Sequence, residues 1–249
     1  MIFFKRLSYA SFKLLFLLNF IVSLLILYPF FYLLLNQAST FGYVLSLKRW
    51  WAKWILLVPP IFVRVEDNAQ IKTVQGPCIF CANHSSYLDI VISYVVLPQF
   101  FVFMGKKELL KAPLFNIFFK KKLDIVVDRK SRSGSHQAFL EAGERLDRGQ
   151  SVFMFPEGTI STHGQLKAFK QGAFKLAIEK QVPIIPITFT NNWKLLQNGG
   201  FFKAPCRPGM AGVILHTPIP TTGITLEAVD ELNKKVRDII QQGLQHKKR

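Results

Sequence analysis

The sequence predicts a layered α/β protein, a mixed sheet flanked by helices and preceded by a membrane-anchoring helical segment. Two observations carry this. From about residue 64, short β-rich apolar runs alternate with stretches at helical spacing, the signature of stacked strand and helix layers. Ahead of them, residues 14–35 give 22 positions without a charge, enough for a helix across about 30 Å of hydrocarbon. The expected division is therefore an anchoring region, residues 1–63, and a folded domain, residues 64–249.

The apolar run is longer than the core of a typical signal peptide and no small-residue cleavage site closes it, so a retained segment is expected. Pro29 should kink it. Lys5, Arg6 and Lys13 precede the run and Lys48, Arg49 and Lys53 follow it, so the positive-inside rule has little asymmetry to act on. The next apolar stretch carries Trp50, Trp51 and Trp54, is too short to span, and should stop at Pro59-Pro60. Tryptophans mixed with cations suit a membrane interface, which points to a two-helix interfacial anchor.

Composition narrows the partners. Half of the residues are hydrophobic, 24 are Phe, and 32 Lys+Arg face 15 Asp+Glu for a formal charge of +17. A basic balance alone suits nucleic acid as well as anionic membranes; the apolar N-terminus and positive mean hydropathy favour lipid, and no nucleic-acid partner is expected. Cys78, Cys81 and Cys206 cannot build a disulfide framework, which places the folded domain in the cytosol. Cys78 and Cys81 lie in an apolar strand-like run whose alternation sends them to opposite faces, as core residues.

In the domain, strands are expected at residues 78–82, 100–104, 125–127, 151–155, 184–190 and 212–216. Helices are expected near 85–97, 107–121, 134–148 and 172–181. From Thr225, a cap-type residue followed by Glu227, the residues Leu226, Val229, Leu232, Val236, Ile239 and Ile240 recur at helical spacing, predicting an amphipathic closing helix.

Chemistry concentrates where buried strands stop. Asn83-His84-Ser85-Ser86-Tyr87-Leu88-Asp89 sits between a strand and a helix that Ser85 or Ser86 can cap, placing the Asp89 carboxylate where it can orient the His84 imidazole. Such a pair supports general-base chemistry; the plain alternative is a turn in which Asp89 complements the helix N-terminus. Phe155-Pro156-Glu157-Gly158-Thr159 ends another apolar strand, so Glu157 can share a pocket with His84 and Asp89 beyond the carboxyl ends of the strands. Read alone, it is an ordinary Pro-Glu-Gly turn. Lys106, Lys107, the run from Lys120 to Lys122, Arg129 and Lys130 offer phosphate-binding cations or a basic membrane-facing surface. Val182-Pro183-Ile184-Ile185-Pro186-Ile187 should be an edge strand or a strand entry.

In this order, these segments resemble the four motif blocks of the glycerolipid acyltransferases, especially the 1-acylglycerol-3-phosphate (lysophosphatidic acid) acyltransferases, over roughly residues 78 to 190. His84 and Asp89 match the first block, Leu123 to Arg129 the second, Phe155 to Thr159 the third and Val182 to Ile187 the fourth. The resemblance implies His84 as base, Asp89 as its orienting partner, and Glu157, Gly158, Thr159 and Arg129 on the acceptor side, where Lys106 is a further substrate-binding candidate. It further implies acyl transfer from an acyl-CoA or acyl carrier protein thioester to lysophosphatidic acid at a membrane, with no metal and no bound cofactor. Direct attack by the acceptor hydroxyl is expected, since no nucleophilic Ser or Cys sits in the motifs beside the base. Two positions depart from the family: Leu123 stands where Gly is common, and Ile160 where Arg commonly follows Thr. That Arg is associated with acceptor phosphate, so another lyso-lipid acceptor, or a non-catalytic membrane adaptor, is the competing expectation. Lys106, Arg129, Lys167 and Lys170 are the cations that can take the missing Arg's place.

Overall fold

The computed structural model describes residues 2–67, 74–161 and 163–246. Seven strands form one sheet in the order β1-β7-β6-β2-β5-β3-β4: β1 (Ile61–Asp67), β2 (Ile79–Ala82), β3 (Phe101–Lys106), β4 (Ile125–Val127), β5 (Ser151–Met154), β6 (Ile184–Phe189) and β7 (Gly209–Leu215). The neighbours β6, β2, β5, β3 and β4 pair in parallel, so their carboxyl ends share one edge; β7 is antiparallel to β6, and β1 runs parallel to β7.

Helices cover both faces, which explains why β2 reads as the unbroken apolar run Ile79-Phe80-Cys81-Ala82, all of it buried. Strand alternation sends Phe80 and Ala82 into a core shared with α1 (Ile2–Leu34), α2 (Phe41–Leu57) and α3 (Leu88–Val96). Ile79 and Cys81 enter the opposite core, against α5 (Arg132–Asp147), α6 (Gly172–Lys180) and α8 (Val229–His246). Cys78 and Cys81 thus lie on opposite faces, and all three cysteines are free and buried.

Several elements differ from expectation. Residues 107–121 are not one helix: a 3-10 segment, Lys107–Lys111, is followed by a single turn, α4 (Ile117–Lys120). Pro113 restricts the residue before it, and Ala112 is extended at ψ 113. The apolar stretch after Trp54 is two elements, because Pro59-Pro60 separates the end of α2 from β1. The boundary expected after residue 63 consequently falls inside β1. Of the edge strand or strand entry expected for Val182–Ile187, the entry is what forms: Val182-Pro183 lead into β6, which lies between β7 and β2 with all six residues buried. Pro186 is tolerated there because it sits between the Ile184–Ile219 bridge and the Ile187–Leu215 register, where the pairing is irregular. Thr225 holds the N-cap position of a 3-10 turn ahead of α8, but its side chain makes no capping bond.

The anchoring region packs into the fold. α1 runs through Pro29 and buries Phe16, Leu24, Leu27 and Phe31 along one stripe, while Leu14, Leu18, Ile21, Leu25 and Leu33 remain exposed. Trp51 of α2 meets Phe20 and Phe31 at 5.1 and 5.7 Å and donates to Ser23 at 2.7 Å. The cations after the apolar run do not all face outward. Lys48 is buried, bonded to Asp124 and to the Tyr94 hydroxyl at 2.9 Å each, and stands 4.1 Å over the Phe118 ring. Arg49 donates to the carbonyls of Leu97, Pro98 and Gln99 past the end of α3.

Asp124 takes the Phe103 N–H on its other oxygen at 2.9 Å, so one carboxylate ties α2 to the β3–β4 part of the sheet. Removing one member of a buried pair leaves an uncompensated charge and costs about 3–5 kcal/mol. Asp124→Asn keeps the acceptor for Phe103 but strips Lys48 of its counter-charge, and should lower the thermal midpoint strongly. Adding Lys48→Met should recover most of the loss. A single variant as stable as the parent protein would contradict this account.

Candidate functional site

The site forms where β2 ends. Asn83 continues the β2–β6 ladder with its side chain, donating to Phe189 O at 3.0 Å and accepting from Phe189 N at 2.8 Å. The chain then turns within four residues into α3. Ser86 supplies the turn: its hydroxyl accepts from Leu88 N at 3.1 Å and donates to Leu196 O at 2.6 Å.

Asp89, in the first turn of α3, points back into this bend. Its Oδ2 accepts from Ser85 N at 2.6 Å, Ser86 N at 2.9 Å and His84 Nδ1 at 3.0 Å. Its Oδ1 accepts from Asn192 Nδ2 at 2.7 Å. The carboxylate is fully buried, while the His84 side chain keeps 12% exposure. An ionised carboxylate only accepts hydrogen bonds, so in the neutral ring the tautomer that fits this contact carries its proton on Nδ1 and keeps the lone pair on Nε2. Among the described residues no other hydrogen bond reaches the His84 ring, and its face stacks on Phe155 with centroids 3.9 Å apart.

β5 delivers the second segment, next to β2. Glu157 is buried, and its oxygens accept His84 N at 2.7 Å and Lys167 N at 3.0 Å. Ser161 N donates to His84 O at 2.7 Å. The backbone of His84 is therefore held on both sides by the loop that follows β5. Gly158 has φ +70, a conformation glycine adopts without strain. Burial pushes the Glu157 carboxyl up to about 7, against the pull of the two backbone N–H groups.

His84, Asp89, Glu157, Gly158 and Thr159 thus gather at the exits of adjacent strands. Lys106 ends β3 and Arg129 follows β4, one and two strands beyond β5. At a strand spacing of about 4.8 Å these cations lie roughly 10 and 15 Å along the edge from His84. Both are exposed and neither enters an ion pair among the described residues, whereas Lys107 pairs with Asp128 at 2.8 Å. Asn192 is the contact to the pair that sequence reasoning did not single out. Asn192 opens α7 (Asn192–Leu195) after β6, and an Asn after a strand reads as a turn residue until the fold brings it to Asp89.

A carboxylate-backed imidazole with one open nitrogen suits base-assisted group transfer, and this is the class of protein that the fold and site define. Residues 62–190 match the family described as Acyltransferase; they make up more than half of the chain, and the protein belongs to that family. It is 32% identical over 200 residues to the 1-acyl-sn-glycerol-3-phosphate acyltransferase of Haemophilus influenzae, covering 76% of this chain and 78% of that one. It is 31% identical over 201 residues to a putative 1-acyl-sn-glycerol-3-phosphate acyltransferase of Caenorhabditis elegans, covering 80% and 68%. The solved structure of the 1-acyl-sn-glycerophosphate acyltransferase from Thermotoga maritima superposes with a TM-score of 0.77 at 23% identity, over 100% of this chain and 98% of that one, a likeness of fold.

The Glu157 carboxyl makes stability depend on pH. Its pKa is raised in the fold, from 4.5 to about 7, so the folded chain binds this proton more tightly than the unfolded chain. The resulting stabilisation is complete below pH 4.5 and is lost as pH rises to about 7. At ~1.36 kcal/mol per pKa unit it is on the order of 3 kcal/mol. Glu157→Gln should flatten the stability profile in that window; an unchanged slope would contradict the assignment.

Proposed function

We propose that the protein transfers a fatty acyl chain from an acyl thioester to the free hydroxyl of a 1-acylglycerol-3-phosphate, giving phosphatidic acid. The observation that carries this reading is the fully buried Asp89 carboxylate bonded to His84 Nδ1 at 3.0 Å. His84 Nε2 takes the hydroxyl proton as the acceptor oxygen attacks the thioester carbonyl. The tetrahedral intermediate collapses, breaking the C–S bond, and the imidazolium returns the proton to the departing thiolate. Asp89 holds the ring and stabilises the imidazolium. Glu157 braces the loop that, with Gly158 and Thr159, borders the acceptor, and Lys106 and Arg129 provide cations further along the same edge.

Direct transfer is favoured over an acyl-enzyme by the state of the nearby nucleophiles. Ser86 is committed to Leu88 and Leu196, and burial drives the Cys81 thiol far above its usual range. The donor is an acyl-CoA or an acyl carrier protein. The two relatives named as 1-acyl-sn-glycerol-3-phosphate acyltransferases support the acceptor.

The protein works at the cell membrane. Residues Arg6–Leu34 of α1 are long and apolar enough to cross a bilayer, with a mean hydropathy of 2.4. α1 nevertheless stays packed on the domain along its length, from Lys13 bonded to Gly200 O at 3.1 Å to Phe31 against Phe118 at 4.9 Å. This favours an anchor lying in one leaflet with its exposed stripe in lipid, and the three free cysteines favour a catalytic domain on the cytosolic face.

His84→Ala in the purified full-length protein should lower kcat by about 10²–10⁴-fold while vesicle binding persists; unchanged activity would exclude His84 as the base. Acceptor profiling decides the substrate. Turnover of lysophosphatidate supports the reading, and strong turnover of a phosphate-free lyso-lipid with none of lysophosphatidate rejects it.

A further inference from the structure

We infer that the hairpin of residues 196–206 inserts its tip, Phe201-Phe202, into an anionic membrane surface beside α1, as a second lipid contact outside the N-terminal anchor. The inference rests on the membrane reading above and adds an element that the anchor does not contain. The hairpin leaves α7 and returns to β7. Its base is closed by the antiparallel bridge between Leu196 and Cys206, with Gln197 N on Pro205 O at 2.8 Å and Arg207 N on Leu195 O at 2.9 Å. The chain turns at Gly199, whose φ of +141 suits a residue without Cβ. Gly200 O then gathers three donors: Lys203 N at 3.2 Å, Ala204 N at 3.0 Å and Lys13 Nζ at 3.1 Å.

Lys13 belongs to α1, so this last bond docks the tip on the anchoring helix. It is also the final charged residue before the charge-free run of residues 14–35. The Lys13 side chain is buried, whereas Leu14, Leu17 and Leu18, which follow it, are exposed. The hairpin tip is therefore held at the end of α1 where its exposed apolar stripe begins.

The composition of the tip fits that place. Turn tips are ordinarily built from small and polar residues, yet Phe201 is 41% and Phe202 57% exposed, the two rings packing edge to face at 5.6 Å. Cations flank them. Lys194, Lys203 and Arg207 are exposed, and none enters an ion pair among the described residues. Arg207 is ordered at the base of the hairpin by its Nε bond to Lys194 O at 3.2 Å. Aromatic rings at a tip with unpaired cations around it suit acyl chains below and anionic headgroups above.

The other end of the hairpin touches the site. Leu196 O accepts the Ser86 hydroxyl at 2.6 Å, and Gln197 Nε2 stands 3.1 Å from His163 Nδ1 in the loop after β5. One short hairpin thus runs from the bend that carries His84 to the membrane helix. A tip seated among headgroups brings the rim of the site to the surface from which a lipid acceptor arrives.

Depth-dependent quenching of an environment-sensitive fluorophore tests this in the full-length protein, reconstituted in phosphatidylcholine vesicles containing phosphatidylglycerol. The label is attached through Phe202→Cys, through Leu18→Cys on the exposed stripe of α1, or through Lys235→Cys on α8 across the sheet; the parent protein, whose three cysteines are buried, gives the labelling background. Lipids carrying a nitroxide high on the acyl chain should remove most of the emission at positions 202 and 18 and little at position 235. Adding Lys203→Glu, or omitting phosphatidylglycerol, should weaken the quenching at 202. Quenching at 18 without quenching at 202 would overturn the hairpin contact and leave the anchor standing. Quenching at neither would overturn the membrane reading itself, and quenching at 202 that ignores both charge changes would overturn the anionic assignment.

Discussion

A buried carboxylate organises this molecule. Asp89 has no exposure and accepts four hydrogen bonds, from Ser85 N, Ser86 N, His84 Nδ1 and Asn192 Nδ2. Removing a charge from water costs several kcal/mol unless donors replace the lost hydration. These donors come from the exit of β2, the bend before α3 and the start of α7 after β6. Meeting the need of one carboxylate therefore fixes the relative positions of three segments, and the imidazole is one of the donors. The orientation of the imidazole is a consequence of solvating its partner.

Glu157 repeats the logic one strand over. Its two oxygens take N–H groups from His84 and Lys167, so the loop after β5 and the bend after β2 are joined through one side chain. The loop is fixed from its far side as well, by Lys170 N on Pro156 O. On the sheet's other flank, the Lys48–Asp124 pair binds α2 to β4 at 2.9 Å. The apolar N-terminal region is thereby part of the core, and its exposed apolar stripe is held at a fixed orientation to the site.

Much of this was legible in the sequence, for identifiable reasons. Strands covered on both faces read as continuous apolar runs, and β2, β5 and β6 were found that way, with His84 and Glu157 at their exits. The five-residue step from His84 to Asp89 is local, so its geometry follows from a strand turning into a helix. What escaped depends on distance in sequence. Asn192 reaches Asp89 across 103 positions, and nothing local distinguishes it from a turn asparagine. β1 was hidden because its apolar residues continue those of α2 across Pro59-Pro60. Of the two readings open for Val182–Ile187, an edge strand or a strand entry, the entry is the one found, because Val182-Pro183 lead into β6, while Pro186 is accommodated inside the sheet where the pairing with β7 is irregular. Lys48 looked like an interfacial cation until Asp124, 76 positions away, accounted for it.

The account's central claim is that Asp89 fixes the His84 tautomer and leaves Nε2 free to take a proton. Nitrogen-15 NMR of protein labelled at histidine, with His84 assigned by its loss in His84→Gln, measures this directly near neutral pH. The account predicts a neutral ring protonated at Nδ1, with Nε2 resonating as an unprotonated nitrogen. A neutral ring protonated at Nε2 would contradict it, because Nδ1 would then be an acceptor facing a carboxylate and the ring would have no open nitrogen for the acceptor hydroxyl.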